Sequence, residues 1–130
     1  MADSKLATGR GPLIGYWVLT GLIVLSQGAS GIGDLMGAEG LVKGITDLGY
    51  PAYILWILGP WKVLGAIALA VPGKARLKEW AYAGFFFDFT GAFASHLLHG
   101  DGADMVVPAL VLTAVLVGSY KLRPAGRRLP

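Results

Sequence analysis

The chain has 130 residues, 55% of them apolar and only 15% charged, with a formal net charge of +3. A soluble globular chain carries about 25% charged residues, and a disordered one is polar and highly charged. Cysteine is absent, which excludes a disulfide scaffold, thiolate nucleophiles, CxxC redox chemistry and cysteine-ligated metal centres.

The first apolar run, 13–33, is 21 residues without a charge and opens LIGYWVLTGLIVLS. As a helix it is about 31 Å long, the thickness of a hydrocarbon core. Pro12 suits a first helical turn and Asp34 closes the run. The run is too long for a cleaved signal peptide and three similar runs follow it. The second, 51–71, contains one charge, Lys62, and the pair Gly59-Pro60. Proline removes a backbone hydrogen bond, so a kink or break is expected near Trp56. The third, 80–99, reads WAYAGFFFDFTGAFASHLLH and holds Asp88 and His96. The fourth, 105–120, is the shortest and reaches membrane length by extension to 122, with Lys121 and Arg123 snorkelling. Four such helices with almost no polar faces leave too little surface for water. The expectation is an all-α, polytopic membrane protein, a bundle of four transmembrane helices forming one domain over 1–130. Leu41, Val42, Ile45 and Leu48 are spaced for a short amphipathic surface helix within 35–48, although a glycine-rich loop reads equally well.

Charge sets the orientation. Lys5 and Arg10 precede the first run, Lys74, Arg76 and Lys78 lie between the second and third, and Lys121, Arg123, Arg127 and Arg128 follow the fourth. The other two connections are acidic, with Asp34, Glu39 and Asp47, then Asp101 and Asp104. Basic segments stay cytoplasmic, which predicts both termini inside the inner membrane of a bacterium. No basic stripe interleaved with aromatics is present, so no nucleic-acid partner is expected.

Counting inward from the outer surface, Lys62 and Asp88 both lie 11 residues deep, about 16 Å. Opposite charges at matching depth on consecutive helices predict a pair, either a functional anchor or relay or a structural tie. Asp88, Ala92, His96 and His99 follow one face toward the outer surface, and Gln27, Ser30 and Ser95 lie at similar depth. Trp56 and Trp61 are expected to line the same interior. Together these residues describe a polar pocket for a ligand with a polar head and an apolar body, such as a quinone or a lipid-like molecule. The alternative is that Gln27, Ser95 and His96 tie helices together. Two histidines are too few to specify a metal site, and none is expected. Gly59, Gly65, Gly84 and Gly91 permit close helix approach. Tyr50 and Tyr53 are assigned to the outer aromatic belt, and Trp80, Tyr82 and Tyr120 to the inner. Motifs of hydrolases, phosphate loops and zinc proteases are absent. The GASGIGD stretch has dinucleotide-turn spacing but no strand–helix unit around it.

The segment GPWKVLGAIALAVPGKARLKEWAYAGFFFDFTGAFASHLLHGD resembles the DoxX-like family of small four-helix membrane proteins, through Gly59, Lys62, Gly65, Pro72, the LKEWAYAG run at 77–84, and Asp88, Gly91, Ala92, Ser95 and His96. The resemblance implies the four-helix architecture and gives weight to Lys62, Glu79, Asp88 and His96, with Glu79 supporting the site or the cytoplasmic loop. One branch of the similar DoxX proteins is associated with thiosulfate–quinone oxidoreduction, and a distant relation acts in receptor assembly. Three readings follow: an amphiphile-binding protein in a redox or stress process, with a quinone as one candidate ligand; a non-enzymatic assembly or scaffold protein that binds itself or a membrane partner; and a small proton-coupled transporter using Lys62 and Asp88.

Overall fold

A computed structural model describes residues 10–130. Lys5, one of the basic residues that set the expected orientation, lies outside the described residues. The fold is all-α: α1 spans Arg10–Met36, α2 Glu39–Asp47, α3 Leu55–Ala70, α4 Ala75–His99 and α5 Ala103–Lys121, with 3-10 turns at Ala52–Ile54 and Ala125–Arg127. Three helical segments are long and apolar enough to cross a membrane, namely Arg10–Met36, Ala52–Ala70 and Ala103–Lys121. The 25-residue α4 has the length, about 37 Å, but carries Arg76, Lys78 and Glu79 at one end and Asp88 in its middle.

The long helices pack in a ring. α1 lies against α3 and α5, and α4 lies against the same two. Each turns inward a stripe spaced by three and four residues, the 3.5-residue period of helices that pack nearly parallel. On α1 the stripe is Tyr16, Thr20, Ile23, Gln27, Gly31 and Asp34. On α3 it is Leu55, Gly59, Ala66 and Leu69, with Lys62 filling the remaining place. The core joins Ile23, Leu69, Tyr82, Phe85, Phe89 and Leu116.

The polarity of α1 is inverted relative to a soluble helix. Thr20, Gln27 and Asp34 are buried, while Ile14, Val18, Leu22, Leu25 and Ile32 are exposed. Water would penalise so large an apolar surface, and lipid does not. α2 is amphipathic, with Leu41, Val42 and Ile45 half-buried and Glu39, Lys43 and Asp47 outward.

α3 runs through Pro60 without a break near Trp56. Pro60 lies in its second turn, and the irregularity is confined to the 3-10 turn preceding it. α4 starts before residue 80 because Lys78 and Glu79 find partners inside the bundle and do not need to lie in a loop.

Candidate functional site

Two glycines set the geometry of the site. A Cβ placed on Gly31 would sit 2.8 Å from the Gly59 carbonyl oxygen and 2.9 Å from the Lys62 Cβ. One on Gly59 would sit 3.0 Å from the Gly31 carbonyl oxygen and from the Asp34 Cβ. No side chain fits, so the backbones of α1 and α3 touch there. Asp34 follows Gly31 by three residues and Lys62 follows Gly59 by three, so the contact brings both charges together. The Lys62 Nζ lies 3.0 Å from Asp34 Oδ2 and donates a hydrogen bond to Ser30 Oγ at 3.1 Å.

This corrects the expected pairing. The ion-pair partner of Lys62 is Asp34 of α1, and among the described residues no cation lies within ion-pairing distance of Asp88. Depth matched Asp88 to Lys62, but the flexible lysine stem reaches along the bundle toward the helix whose backbone is nearest. Asp34 was read as a charge of the outer connection. It is 1% exposed, because Gly37 ends α1 in a left-handed turn (φ 67°) one turn later. Gly37 N–H bonds the Asp34 carbonyl at 3.1 Å and Ala38 N–H bonds the Gly33 carbonyl at 3.0 Å, the paired C-cap that glycine permits. Among the described residues, neither carboxylate oxygen of Asp34 accepts a hydrogen bond. A buried acceptor left in this state costs about 1–3 kcal/mol.

The ion pair faces a cavity of about 530 Å³ whose wall includes Gln27, Ser30, Asp34, Lys62, Asp88, Ser95 and His96. Of the expected pocket residues, Gln27, Ser30, Ser95 and His96 therefore share one space with Lys62, and Asp88 stands on its wall. Trp56 and Trp61 are not on its wall, although Trp61 lines a neighbouring groove that also contains Lys62 and Asp88. The two tryptophans are 62% and 68% exposed, because each is one position off the inward stripe of α3. The signal that points to Asp34 is the matched spacing of GxxD at 31–34 and GxxK at 59–62.

The rim near the α4–α5 turn carries short polar contacts. The Tyr50 and Ser95 hydroxyls hydrogen-bond at 2.7 Å. Gly100 (φ 87°) ends α4 in a left-handed turn that folds Asp101 back over the last helical turn. Nδ1 of His96 donates to Asp101 Oδ2 at 2.6 Å, and Nδ1 of His99 donates to Oδ1 at 2.8 Å. These hydrogen bonds, His96 first, hold the Asp101 carboxyl below the usual carboxylate range.

The inner end buries charge differently. Lys78 is 0% exposed; it donates to the Ala68 carbonyl at 2.8 Å and to the Val71 carbonyl. Arg127 donates to the Leu69, Ala70 and Val71 carbonyls at 2.6, 3.2 and 3.1 Å and to the Tyr16 hydroxyl at 2.6 Å. Two cations thus satisfy the free carbonyls at the negative end of the α3 dipole. Glu79 accepts from Arg123 and from the Tyr120 hydroxyl at 2.9 Å, which places it in this inner cluster and away from the cavity. Tyr82 is buried and not in an aromatic belt; its hydroxyl bonds Ser119 at 2.7 Å, and Ser119 bonds Thr20 at 2.6 Å.

Residues 18–119 match the DoxX-like family. The chain belongs to the DoxX-like family. The match covers α2, α3, α4 and the Asp34–Lys62 pair, together with most of α1 and α5. Family membership and the apolar helices make the chain an integral membrane protein. No curated protein and no solved structure matches the chain. Chemically, this DoxX-like site offers an ammonium and an acceptor-only carboxylate beside an open, partly polar space, an arrangement suited to holding a polar head by hydrogen bonds.

Proposed function

We propose that this DoxX-like chain crosses the bacterial inner membrane four times, with both termini in the cytoplasm, and binds a small amphipathic ligand such as a quinone in support of a redox or stress process. The observation that carries the reading is the Asp34–Lys62 pair, buried beside a cavity, with Asp34 Oδ2 held by the ammonium and Oδ1 without a partner among the described residues. A carboxylate kept only for architecture is normally satisfied by neighbouring groups, as the inner cluster is. The site residues in this reading are Asp34, Lys62, Gln27 and Ser30, with Asp88, Ser95 and His96 on the wall.

The test is native mass spectrometry in lipid, with quinone and lipid extracts added. A stoichiometric small molecule retained by the natural chain and by Lys43→Ala, and lost from the double variant Asp34→Asn/Lys62→Met, is the expected result. Gly84 and Gly91 favour a second reading, a scaffold or assembly protein. Both leave open space on α4 where a neighbouring helix would fit. A stable protein partner with no retained ligand would select that reading. Accessibility tags on the N-terminus and on the 74–79 segment test the topology, and both should report the cytoplasmic side.

A further inference from the structure

We propose that the cavity selects an amphiphile whose head carries hydroxyl donors, a quinol in preference to the matching quinone, and that its apolar tail leaves into lipid between α3 and α4. The inference rests on the ligand-binding reading above and adds the head chemistry and the path of the tail.

The head follows from hydrogen-bond roles. An ionised carboxylate only accepts. Asp34 is buried and lines the cavity; its Oδ2 is paired with the Lys62 ammonium at 3.0 Å, and its Oδ1 receives no hydrogen bond among the described residues. The Lys62 ammonium sits beside it, with one hydrogen bond directed to Ser30. A quinone carbonyl would satisfy Lys62 but would bring a further acceptor toward Asp34. A quinol hydroxyl donates to Asp34 and accepts from Lys62 at once. The same logic admits other hydroxyl-bearing heads and disfavours heads made of acceptors alone.

The tail follows from a second space. A groove of about 380 Å³ lies between α3 and α4, lined chiefly by Leu58, Leu64, Gly65, Ala81 and Gly84. It shares Leu58, Lys62 and Asp88 with the polar cavity, so the two spaces meet at the ion pair's lysine. Trp61 and Trp80, both largely exposed, flank its open side. Gly84 leaves that side clear, since a Cβ there meets nothing within 4 Å. An apolar slot that begins at a polar site and opens toward lipid fits a chain attached to the head.

The test is equilibrium binding in lipid nanodiscs with three probes: a decyl-substituted benzoquinol, its oxidised quinone, and the same quinol carrying methyl in place of decyl. The natural chain should bind the decyl quinol about tenfold or more tighter than the quinone, because only the quinol supplies the missing donor. Asp34→Asn, whose amide donates as well as accepts, should remove most of that preference. Gly84→Leu should weaken the decyl quinol by about tenfold and leave the methyl quinol unchanged. Equal affinity of the natural chain for quinol and quinone would overturn the head assignment while leaving the ligand reading standing. Equal effects of Gly84→Leu on both quinols, or loss of self-association without any change in binding, would overturn the tail path. Binding of neither oxidation state would sink the ligand reading itself. Should Asp34→Asn fail to fold, the natural-chain comparison and Gly84→Leu, which leaves both members of the ion pair in place, decide the matter.

Discussion

The two ends of this bundle both bury charge, and they do so to different ends. At the inner end every buried cation is committed: Lys78 and Arg127 cover the last carbonyls of α3, and Arg123 holds Glu79. Where α1 and α3 touch, Asp34 and Lys62 form an ion pair, yet Asp34 Oδ1 has no partner among the described residues and a cavity lies beside them. Satisfied charges act as fasteners. A partly satisfied one, next to open space, is the feature on which the proposed binding site rests.

The comparison breaks most sharply if one member of a buried pair is removed. Lys62→Met alone should destabilise by about 3–5 kcal/mol, since it strands a buried carboxylate. Thermal unfolding in detergent reads this, and an unchanged midpoint would show that Asp34 reaches water. Arg127→Ala should follow at about 3 kcal/mol, as the Leu69 and Ala70 carbonyls and the Tyr16 hydroxyl lose this donor together while Val71 keeps Lys78. A cost well under about 1 kcal/mol would mean that the inner cluster is not holding α3.

Backbone contact supplies a smaller effect. Gly59→Ala should cost about 1–3 kcal/mol by overpacking against α1, whereas Gly84→Ala should be within about 0.5 kcal/mol of neutral, because its Cβ enters open space. Equal costs for the two would refute the close approach of α1 and α3. Removing both charges at once, in Asp34→Asn/Lys62→Met, should change stability by about 1 kcal/mol or less. That near-neutrality, set beside the loss of retained ligand, would separate site from scaffold.

The smallest effect concerns the outer rim. The carboxyl of Asp101 is held below its ordinary value, so its contribution is present above the unfolded value of about 3.9 and disappears as pH falls through the lower folded value. Unfolding midpoints of the natural chain and Asp101→Asn should converge as the solution is acidified below about pH 4. A difference that persists unchanged there would rule out this carboxylate as its source.

The helices and Lys62 were legible because uninterrupted apolar runs and an isolated intramembrane charge are one-dimensional signals. The partner of Lys62 was not. Depth along each helix can be counted from a sequence, but which helix presses closest depends on small residues meeting across the bundle, here Gly31 and Gly59. Asp34 stood next to a glycine-rich connection and so resembled a surface charge, as Lys78 and Arg127 resembled members of basic loops. Each is instead drawn inside by backbone groups or charges contributed by distant segments. Trp56 and Trp61 could have been placed by phase, since the stripe of Leu55, Gly59, Lys62, Ala66 and Leu69 leaves them on its two flanks, about 100° round the helix.

The glycine contact between α1 and α3 also determines which wall can yield. With two main chains already touching, that side of the bundle has no slack to give. On α4 the glycines Gly84 and Gly91 meet no such neighbour, so a larger side chain is tolerated on that flank of the bundle and refused where α1 meets α3.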